Sequence, residues 1–210
     1  LVRPPSPGWP PKDLLVVACD VGQGDGFVVP TGPGEAIVID AGPEPALIDR
    51  CLQKLRIKRV PLLLFTHAHA DHVDGAAGAV RGRKVGLVAF GPTGAPPLDQ
   101  TARTELVAGQ ALRIGPAKLE VLWPGPTTRE VTADEFNDLS LVVRVELAGR
   151  RILFTGDLGE QAQRALGQAT ADLSADILKV AHHGSADQWP ELLDRVDPAI
   201  ALIGVGADNT

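Results

Sequence analysis

Short apolar runs separated by turns rich in Gly and Pro dominate the chain and predict many strands. In the first half, the pattern predicts strands at residues 14–18, 27–29, 36–39, 62–65 and 85–90. Apolar residues at helical spacing predict a helix over residues 45–56, with Pro45 at its first turn, and a second over residues 71–80. Residues 91–100 are predicted to form a loop because Gly and Pro are frequent there.

The second half of the chain shows the same alternation of short apolar runs and turns. Strands are predicted at residues 111–114, 117–122, 141–147, 151–155, 177–181 and 200–203, and helices at 158–168 and 188–196. Two strand-rich halves, each followed by helices, predict an α/β (α+β) fold in which two sheets pack together under outer helices. The Pro-rich residues 1–12 are predicted to form a linker or arm, which leaves one domain over residues 13–210.

Composition supports one folded domain. The 210 residues are 44% hydrophobic and 22% charged, which is typical of a globular chain and not of a disordered one. No apolar run approaches the roughly 18 residues of a membrane helix, so no transmembrane segment is expected here. The sequence contains no Met, so we expect it to be a piece of a longer protein. Cys19 and Cys51 are expected to be small buried residues, and a disulfide between them is the less favoured alternative.

The densest chemistry in the sequence follows the apolar run 62–65. His67, His69, Asp71 and His72 lie within six residues, and imidazole and carboxylate are the ligands that metals such as zinc accept. In an extended segment, His67, His69 and Asp71 share one face, and His72 follows at the turn. A polar loop rich in His by chance is the alternative. A metal site is favoured because all five His of the chain lie here or at residues 182–183.

Further candidate ligands also stand at the ends of apolar runs. Asp40, Asp157 and the pair His182-His183 each follow a predicted strand, where the sheet holds a side chain rigidly. A turn or helix cap is the alternative role for either carboxylate alone. Together with the His cluster, the pattern favours Asp157 as a metal ligand, whereas Asp40 is expected to orient an imidazole without touching metal.

These motifs resemble those of the metallo-β-lactamase superfamily. His67-x-His69-x-Asp71-His72 and the later Thr155-Gly156-Asp157 carry that resemblance. Four further motifs are similar to the metallo-β-lactamase-like domain at the C-terminal end of ComEC-type proteins of bacterial DNA uptake: Asp20-Val21-Gly22-Gln23-Gly24-Asp25, Ile39-Asp40-Ala41-Gly42, Asn137-Asp138-x-Ser140-Leu141-Val142 and His182-His183-Gly184-Ser185. The resemblance implies a four-layer αβ/βα sandwich with two divalent metal ions, zinc or manganese, in a cleft at its edge.

The resemblance also implies a role for each site residue. His67 and His69 would bind the first metal, Asp71 and His72 the second, and Asp157 would bridge the two. His182 is expected to complete the second site and His183 to contact substrate, although the opposite assignment of this pair stays open. Asp71 and His183 would handle protons, Ser185 and Asn137 would bind substrate, and Asp20 and Asp40 would support the ligands.

Three functions remain open at this point. The resemblance implies a nuclease that cleaves DNA phosphodiesters, degrading the strand that is not imported during natural transformation. The second is another metallo-hydrolase acting on a lactam, an ester or a small phosphodiester, because one fold hosts many chemistries. The third is a catalytically silent module. It is motivated by the lack of any His between His72 and His182, where many superfamily members carry a further metal ligand and where Asn137 or Asp138 stands here.

The implied partners are DNA, as a single strand or a duplex end, and the remainder of a membrane channel protein. The resemblance implies a domain of an inner-membrane protein on its outer face. The net charge of −6 argues mildly against DNA, but two basic clusters, Lys54 to Arg59 and Arg81 to Lys84, could guide its backbone. Ordinary solvated helix ends and loops are the alternative for both clusters.

Overall fold

Two six-stranded sheets pack face to face in the part of the chain that the structure describes. The structure is a computed structural model that describes residues 10–11, 13–98, 102–126 and 131–207. The first sheet has the order β1-β2-β3-β4-β5-β6, formed by Val17–Ala18, Phe27–Gly32, Glu35–Ile39, Arg59–Phe65, Lys84–Phe90 and Ala102–Glu105. The second has the order β12-β11-β10-β9-β8-β7, formed, from β7 to β12, by Ala111–Ile114, Ala117–Trp123, Val142–Leu147, Arg150–Phe154, Ile177–Lys179 and Ile200–Leu202.

Both sheets are mixed, and their parallel strands determine where the site lies. Strands β3 to β6 run parallel in the first sheet, and β10 to β12 run parallel in the second. The carboxyl ends of parallel strands meet at one edge of their sheet, where the following loops can form a crevice. Each sheet therefore brings several strand-end loops to a common edge.

Helices cover the outer face of each sheet. Helices α1 (Pro45–Lys54), α2 (Ala70–Val73) and α3 (Ala76–Val80) belong to the first half, and α4 (Glu160–Ala169) and α5 (Pro190–Val196) to the second. Alternate strand residues face the two sides of a sheet. Leu62 and Leu64 accordingly join the core between the sheets, whereas Leu63 joins the core under the helices. The predicted four-layer αβ/βα sandwich is confirmed.

The core between the sheets is apolar and buried. Phe27 of the first sheet and Phe154 of the second meet edge to face, with ring centroids 5.5 Å apart, and each side chain is 1% exposed. Aromatic pairs in this geometry stabilise a core beyond the contribution of their buried area. This contact joins the two sheets close to the strand ends that precede the candidate ligands.

The predicted elements are recovered with local differences. The strand predicted at 14–18 is reduced to Val17–Ala18, and Ala102–Glu105 is a strand that the polar sequence did not indicate. The helix predicted over 71–80 is two short helices, because Gly75 passes against the backbone of Ala41 and donates its N–H to Gly42 O at 2.7 Å. The predicted arm at 1–12 lies outside the described residues except for Pro10 and Pro11, as do residues 99–100 of the predicted loop.

The expectation for the two cysteines was wrong. Cys19, directly after β1, and Cys51, on α1, form a disulfide across a sequence separation of 32 residues. Two cysteines so far apart in the sequence gave little reason to expect a bond. The pairing arises because α1 packs over the outer face of the first sheet beside the end of β1.

Candidate metal centre

Four strand-end loops converge at one edge of the sandwich. Asp40 follows β3, the His67–His72 segment follows β4, Asp157 follows β10, and the short 3-10 turn Ala181–Gly184 follows β11. The two sheets are joined at this edge by backbone hydrogen bonds, among them one from Leu141 N to Thr66 O at 2.8 Å. Residues far apart in the sequence therefore share one pocket.

Two carboxylates and two imidazoles form a compact group in this pocket. One potential ligand atom from each of Asp71, His72, Asp157 and His183 lies within 4.8 Å of all the others. Oδ2 of Asp157 is 3.2 Å from Nε2 of His72 and 3.3 Å from Nε2 of His183, and Oδ2 of Asp71 is 3.3 Å from the same His183 atom. His72 and Asp157 are almost fully buried, whereas 35% of the Asp71 side chain is exposed. The group is thus closed on the protein side and open at Asp71.

Each of the two imidazoles of this group is oriented by a hydrogen bond at its Nδ1. Nδ1 of His72 is 3.0 Å from Oδ2 of Asp40, whose carboxylate also accepts the N–H and hydroxyl of Thr66 at 2.8 and 2.7 Å. Nδ1 of His183 donates to the carbonyl of Gly204 at 2.7 Å. A proton held at Nδ1 leaves the Nε2 lone pair directed at the carboxylates, and this arrangement orients metal-binding histidines.

The donor set fits a divalent cation. Nε2 of His183 is buried with no hydrogen-bond partner, although it faces two carboxylate oxygens. Lone pairs on imidazole and carboxylate repel unless a proton or a cation lies between them. Two imidazoles and two carboxylates are the mixed set that zinc, manganese and iron accept. The group could therefore hold one ion through Asp71, His72, Asp157 and His183.

The pKa values of these side chains reflect the concentration of carboxylates in the pocket. Burial lowers the pKa of His72, but the carboxylates of Asp40 and Asp157 outweigh it and raise this pKa well above its usual value. Burial also opposes protonation of His183, yet the carboxylates of Asp157 and Asp71 beside its Nε2 raise its pKa to about 10. Burial raises and His183 lowers the pKa of Asp71, and the net result is about 2. The pocket attracts positive charge strongly.

His67 and His69 lie beside this group as a pair. Nε2 of His67 is 3.1 Å from Nδ1 of His69, and the His67 ring lies 4.1 Å from that of His72. Burial lowers the pKa of His67 well below its usual value, which keeps a lone pair available for a metal. Phe136 covers the outer side of His69, with ring centroids 5.4 Å apart. These two imidazoles offer further nitrogen ligands beside the compact group, and the other group in the described residues that could hold an ion is Asp25, Asp40 and His72.

The geometry favours a different histidine from the one expected as the metal ligand. His183 belongs to the compact group, whereas the ring of His182 lies with its centroid 6.2 Å from that of His183. Both residues have positive φ, 48° and 52°, so the left-handed turn directs their side chains to different places. This conformation is costly for residues with side chains and is often retained at functional sites.

Asp25, at the opposite end of the Gly-rich turn from Asp20, lies beside the compact group, although no role was expected for it. Asp20, expected to support the ligands, is exposed, whereas Asp25 is buried. Oδ2 of Asp25 pairs with the ammonium of Lys179, and Oδ1 lies 3.6 Å from Nδ1 of His183. Asp25 and Lys179 were both missed by the sequence reasoning, although Lys179 is a charged residue inside an otherwise apolar strand.

The two expected substrate residues occupy the loops that flank the group. Ser185 follows the 3-10 turn and is half-buried, and its hydroxyl accepts the N–H of Asp187 at 3.3 Å. Asn137 is also half-buried, and its Oδ1 has no hydrogen-bond partner. A contact of either residue with substrate stays a prediction.

The two basic clusters lie at the opposite edge of the first sheet. They flank the starts of β4 and β5, whereas the metal group follows the end of β4; a seven-residue strand is about 23 Å long. Arg83 is 3% exposed and pairs with Asp49 at 2.9 Å, and Arg59 pairs with Glu35 at 2.7 Å. Because the clusters lie at the edge opposite the compact group, they do not lead directly into the pocket.

The fold and the group together define a class of protein. Residues 19–205 match the model of the metallo-β-lactamase superfamily, and the chain belongs to that superfamily. Two curated competence proteins are similar to it. ComE operon protein 3 of Bacillus subtilis is 31% identical over 73% of this chain and 21% of its own length. Competence protein ComA of Neisseria gonorrhoeae is 28% identical over 95% of this chain and 28% of its own length. The chain thus spans about a quarter of these relatives.

Solved structures agree on the fold. The metallo-β-lactamase fold protein YhfI of Bacillus subtilis superposes with a TM-score of 0.61, at 14% identity, over 94% of this chain and 89% of its own. A mutant metallo-β-lactamase from Cronobacter sakazakii gives 0.59, at 19% identity, over 81% of this chain and 77% of its own. No helix in the described part of the chain has the length and apolar character to cross a membrane.

Proposed function

We propose that this domain is a metal-dependent phosphodiesterase that cleaves DNA, working as part of a larger DNA-uptake protein. The single observation that carries the proposal is the compact group of Asp71, His72, Asp157 and His183. The similarity to two competence proteins supports DNA as the substrate class, with the strand that is not imported as the one degraded. The resident cofactors in this proposal are two divalent ions, zinc or manganese.

The proposed residues for the first ion are His67 and His69, and those for the second are Asp71, His72, Asp157 and His183. Cations bound at such groups supply Lewis-acid polarisation of a phosphoryl oxygen and a water of lowered pKa. Asp40 and Gly204 contribute by fixing the tautomers of His72 and His183.

Asp71 is the group best placed to meet a substrate. It is the most exposed member of the set, and its pKa of about 2 keeps it ionised at neutral pH. The adjacent His183 is buried and its Nδ1 donates to the carbonyl of Gly204, so its Nε2 would bind the ion beside Asp71. Ser185 and Asn137 flank the opening and would contact the substrate on either side. The phosphate backbone would therefore approach from the Asp71 side.

The disulfide supports the proposed location. Disulfides persist in oxidising compartments and are rare in the cytosol, and Cys19 and Cys51 are bonded here. A domain attached to an inner-membrane channel protein and lying on its outer face would meet that condition. DNA and the remainder of the channel protein are the partners in this proposal.

The test is cleavage of linear and circular DNA with Mn²⁺ or Zn²⁺, with and without chelator. We expect cation-dependent cleavage by the wild type and a loss of at least about 100-fold with Asp71→Asn, because the variant keeps the shape but loses the charge. Asp74→Asn is the matched control, since Asp74 lies three residues away and is exposed; it should cleave at the wild-type rate.

Two results would contradict the proposal. One is DNA cleavage by Asp71→Asn at the wild-type rate, which would locate the activity in a contaminant. The other is a wild type that leaves DNA intact while hydrolysing a chromogenic lactam, ester or small phosphodiester in the same cation. That result would assign the domain to a different substrate class on the same fold.

A further inference from the structure

Lys179 is a fully buried ammonium within the pocket edge of the second sheet. It lies on β11, and its side chain is 1% exposed. Ile177, two residues earlier on the same face of the strand, belongs to the core between the sheets. A charge buried at such a position is costly unless it is fully paired. The proposed reaction and the proposed ligands make no use of this residue.

Three acceptors surround the Lys179 ammonium, which has three protons to donate. It donates to the carbonyl of Gly156 at 2.7 Å and to Oδ1 of Asp157 at 3.2 Å, and it pairs with Oδ2 of Asp25. The strand itself is tied to the same loop, because the hydroxyl of Thr155 donates to the carbonyl of Lys179 at 2.6 Å. The ammonium is therefore fixed relative to the Asp157 loop.

The two oxygens of Asp157 consequently have separate partners. Oδ1 faces Lys179, whereas Oδ2 faces Nε2 of both His72 and His183 at 3.2 and 3.3 Å. A carboxylate on a single Cβ–Cγ bond rotates freely unless one oxygen is held. One oxygen of Asp157 is therefore held by the protein, and the other is free to bind a metal.

We propose that Lys179 is a positioning residue of the metal centre, which holds Oδ1 of Asp157 so that Oδ2 faces the cation. Asp25, from the Gly-rich turn, is the second carboxylate that pairs with the ammonium, and it helps to keep the ammonium in place. This inference rests on the proposed metal centre and extends it to two residues outside the ligand set. It gives the turn Asp20–Asp25 a function, since its last residue is the counter-ion of Lys179.

The test compares two variants that differ only at position 179. Asp25→Asn keeps Lys179 on Asp157, whereas the double variant K179M/D25N removes that contact without leaving an unpaired charge at either position. A second double variant, K179Q/D25N, restores an N–H donor at position 179. Lys118→Met controls for the loss of a lysine from an exposed strand position. Each protein is titrated with Co²⁺ and Mn²⁺ after chelator treatment, with the visible spectrum of bound Co²⁺ as the second readout.

We expect Lys118→Met to bind Co²⁺ within about threefold of the wild type, and Asp25→Asn to bind it more weakly than the wild type but more tightly than K179M/D25N. K179M/D25N is expected to bind it 10- to 100-fold more weakly, which is the usual effect of losing a group that orients a ligand. Its Co²⁺ absorption should also change, because Asp157 is free to rotate, and K179Q/D25N should recover part of both signals. A purely structural lysine would change stability and leave the spectrum of the bound ion as it is.

Equal Co²⁺ affinity and identical spectra in Asp25→Asn and K179M/D25N would overturn the inference. The comparison is independent of DNA cleavage, so the two proposals fail separately. A wild type that binds Co²⁺ but cleaves no DNA refutes the nuclease alone, and the Co²⁺ titrations still decide the role of Lys179.

Discussion

Gly24 is the position where one added methyl group should disturb both the fold and the metal centre. Its φ is +135°, which L side chains rarely adopt, and a Cβ built there lies 2.1 Å from the carbonyl oxygen of Asp71. Real Cβ atoms essentially never approach closer than 3.0 Å, so one of the two segments must move by at least about 0.9 Å. The backbone hydrogen bond from Asp25 N to Asp71 O, 3.2 Å long, would break or lengthen.

The magnitude of the Gly24→Ala effect follows from these contacts. The strained backbone costs about 1–3 kcal/mol, and the weakened hydrogen bond adds about 1 kcal/mol. We expect a loss of about 2–4 kcal/mol in the free energy of unfolding, or roughly 5–15 °C in melting temperature for a chain of this size. Affinity for Co²⁺ should also fall, because Asp71 moves relative to His183, which lies 3.3 Å away.

The assay is urea unfolding of chelator-treated protein, followed by Co²⁺ titration of the folded variant. Gly32→Ala is the matched control, since a Cβ at Gly32 has nothing within 4 Å; it should change stability by less than about 1 kcal/mol. Wild-type stability together with wild-type Co²⁺ affinity in Gly24→Ala would refute the reasoning. It would mean that the turn does not press against Asp71 in solution.

Three further outcomes are expected. Without cation, the raised pKa of His183, about 10 against a usual 6.5, stabilises the fold fully below pH 6.5, so the urea midpoint should fall as pH rises toward 10; a flat midpoint would argue against the carboxylate contacts. Opening the Cys19–Cys51 disulfide, which closes a loop with a sequence separation of 32 residues, should cost about 3–4 kcal/mol by calorimetry with and without reductant. Arg83→Ala should cost about 1–3 kcal/mol in urea unfolding because it removes the nearer arginine of Asp49, at 2.9 Å, and leaves the more distant Arg81 at 3.4 Å, yet cleavage per folded molecule should stay at the wild-type level.

The sequence could predict the ligand-bearing loops because strand periodicity and chemistry coincide there. Leu62–Phe65 is so apolar that it must be a buried strand, and the side chains that follow it must emerge at the sheet edge. The same reasoning applies to Asp40 and Asp157. Where a strand ends is a local property, so it can be read from neighbouring residues in the chain.

Contacts between distant segments could not be read in this way. The backbone conformation of His182 and His183 decides which imidazole joins the group, and no residue pattern encodes a left-handed turn at two histidines. Lys179 lies on a short apolar strand, so its pairing with Asp25 depends on how the two sheets face each other. The disulfide depends likewise on the packing of α1 over the first sheet.

The contact between His183 and the carbonyl of Gly204 makes the stretch after β12 part of the candidate metal centre. Gly206 reinforces it, because its N–H donates to Oε1 of Gln23 at 2.9 Å. A cut after Leu202 would leave both sheets complete, but it would remove the carbonyl of Gly204 that orients His183. A cut or an insertion within residues 203–206 is therefore expected to alter the candidate metal centre as well as this loop.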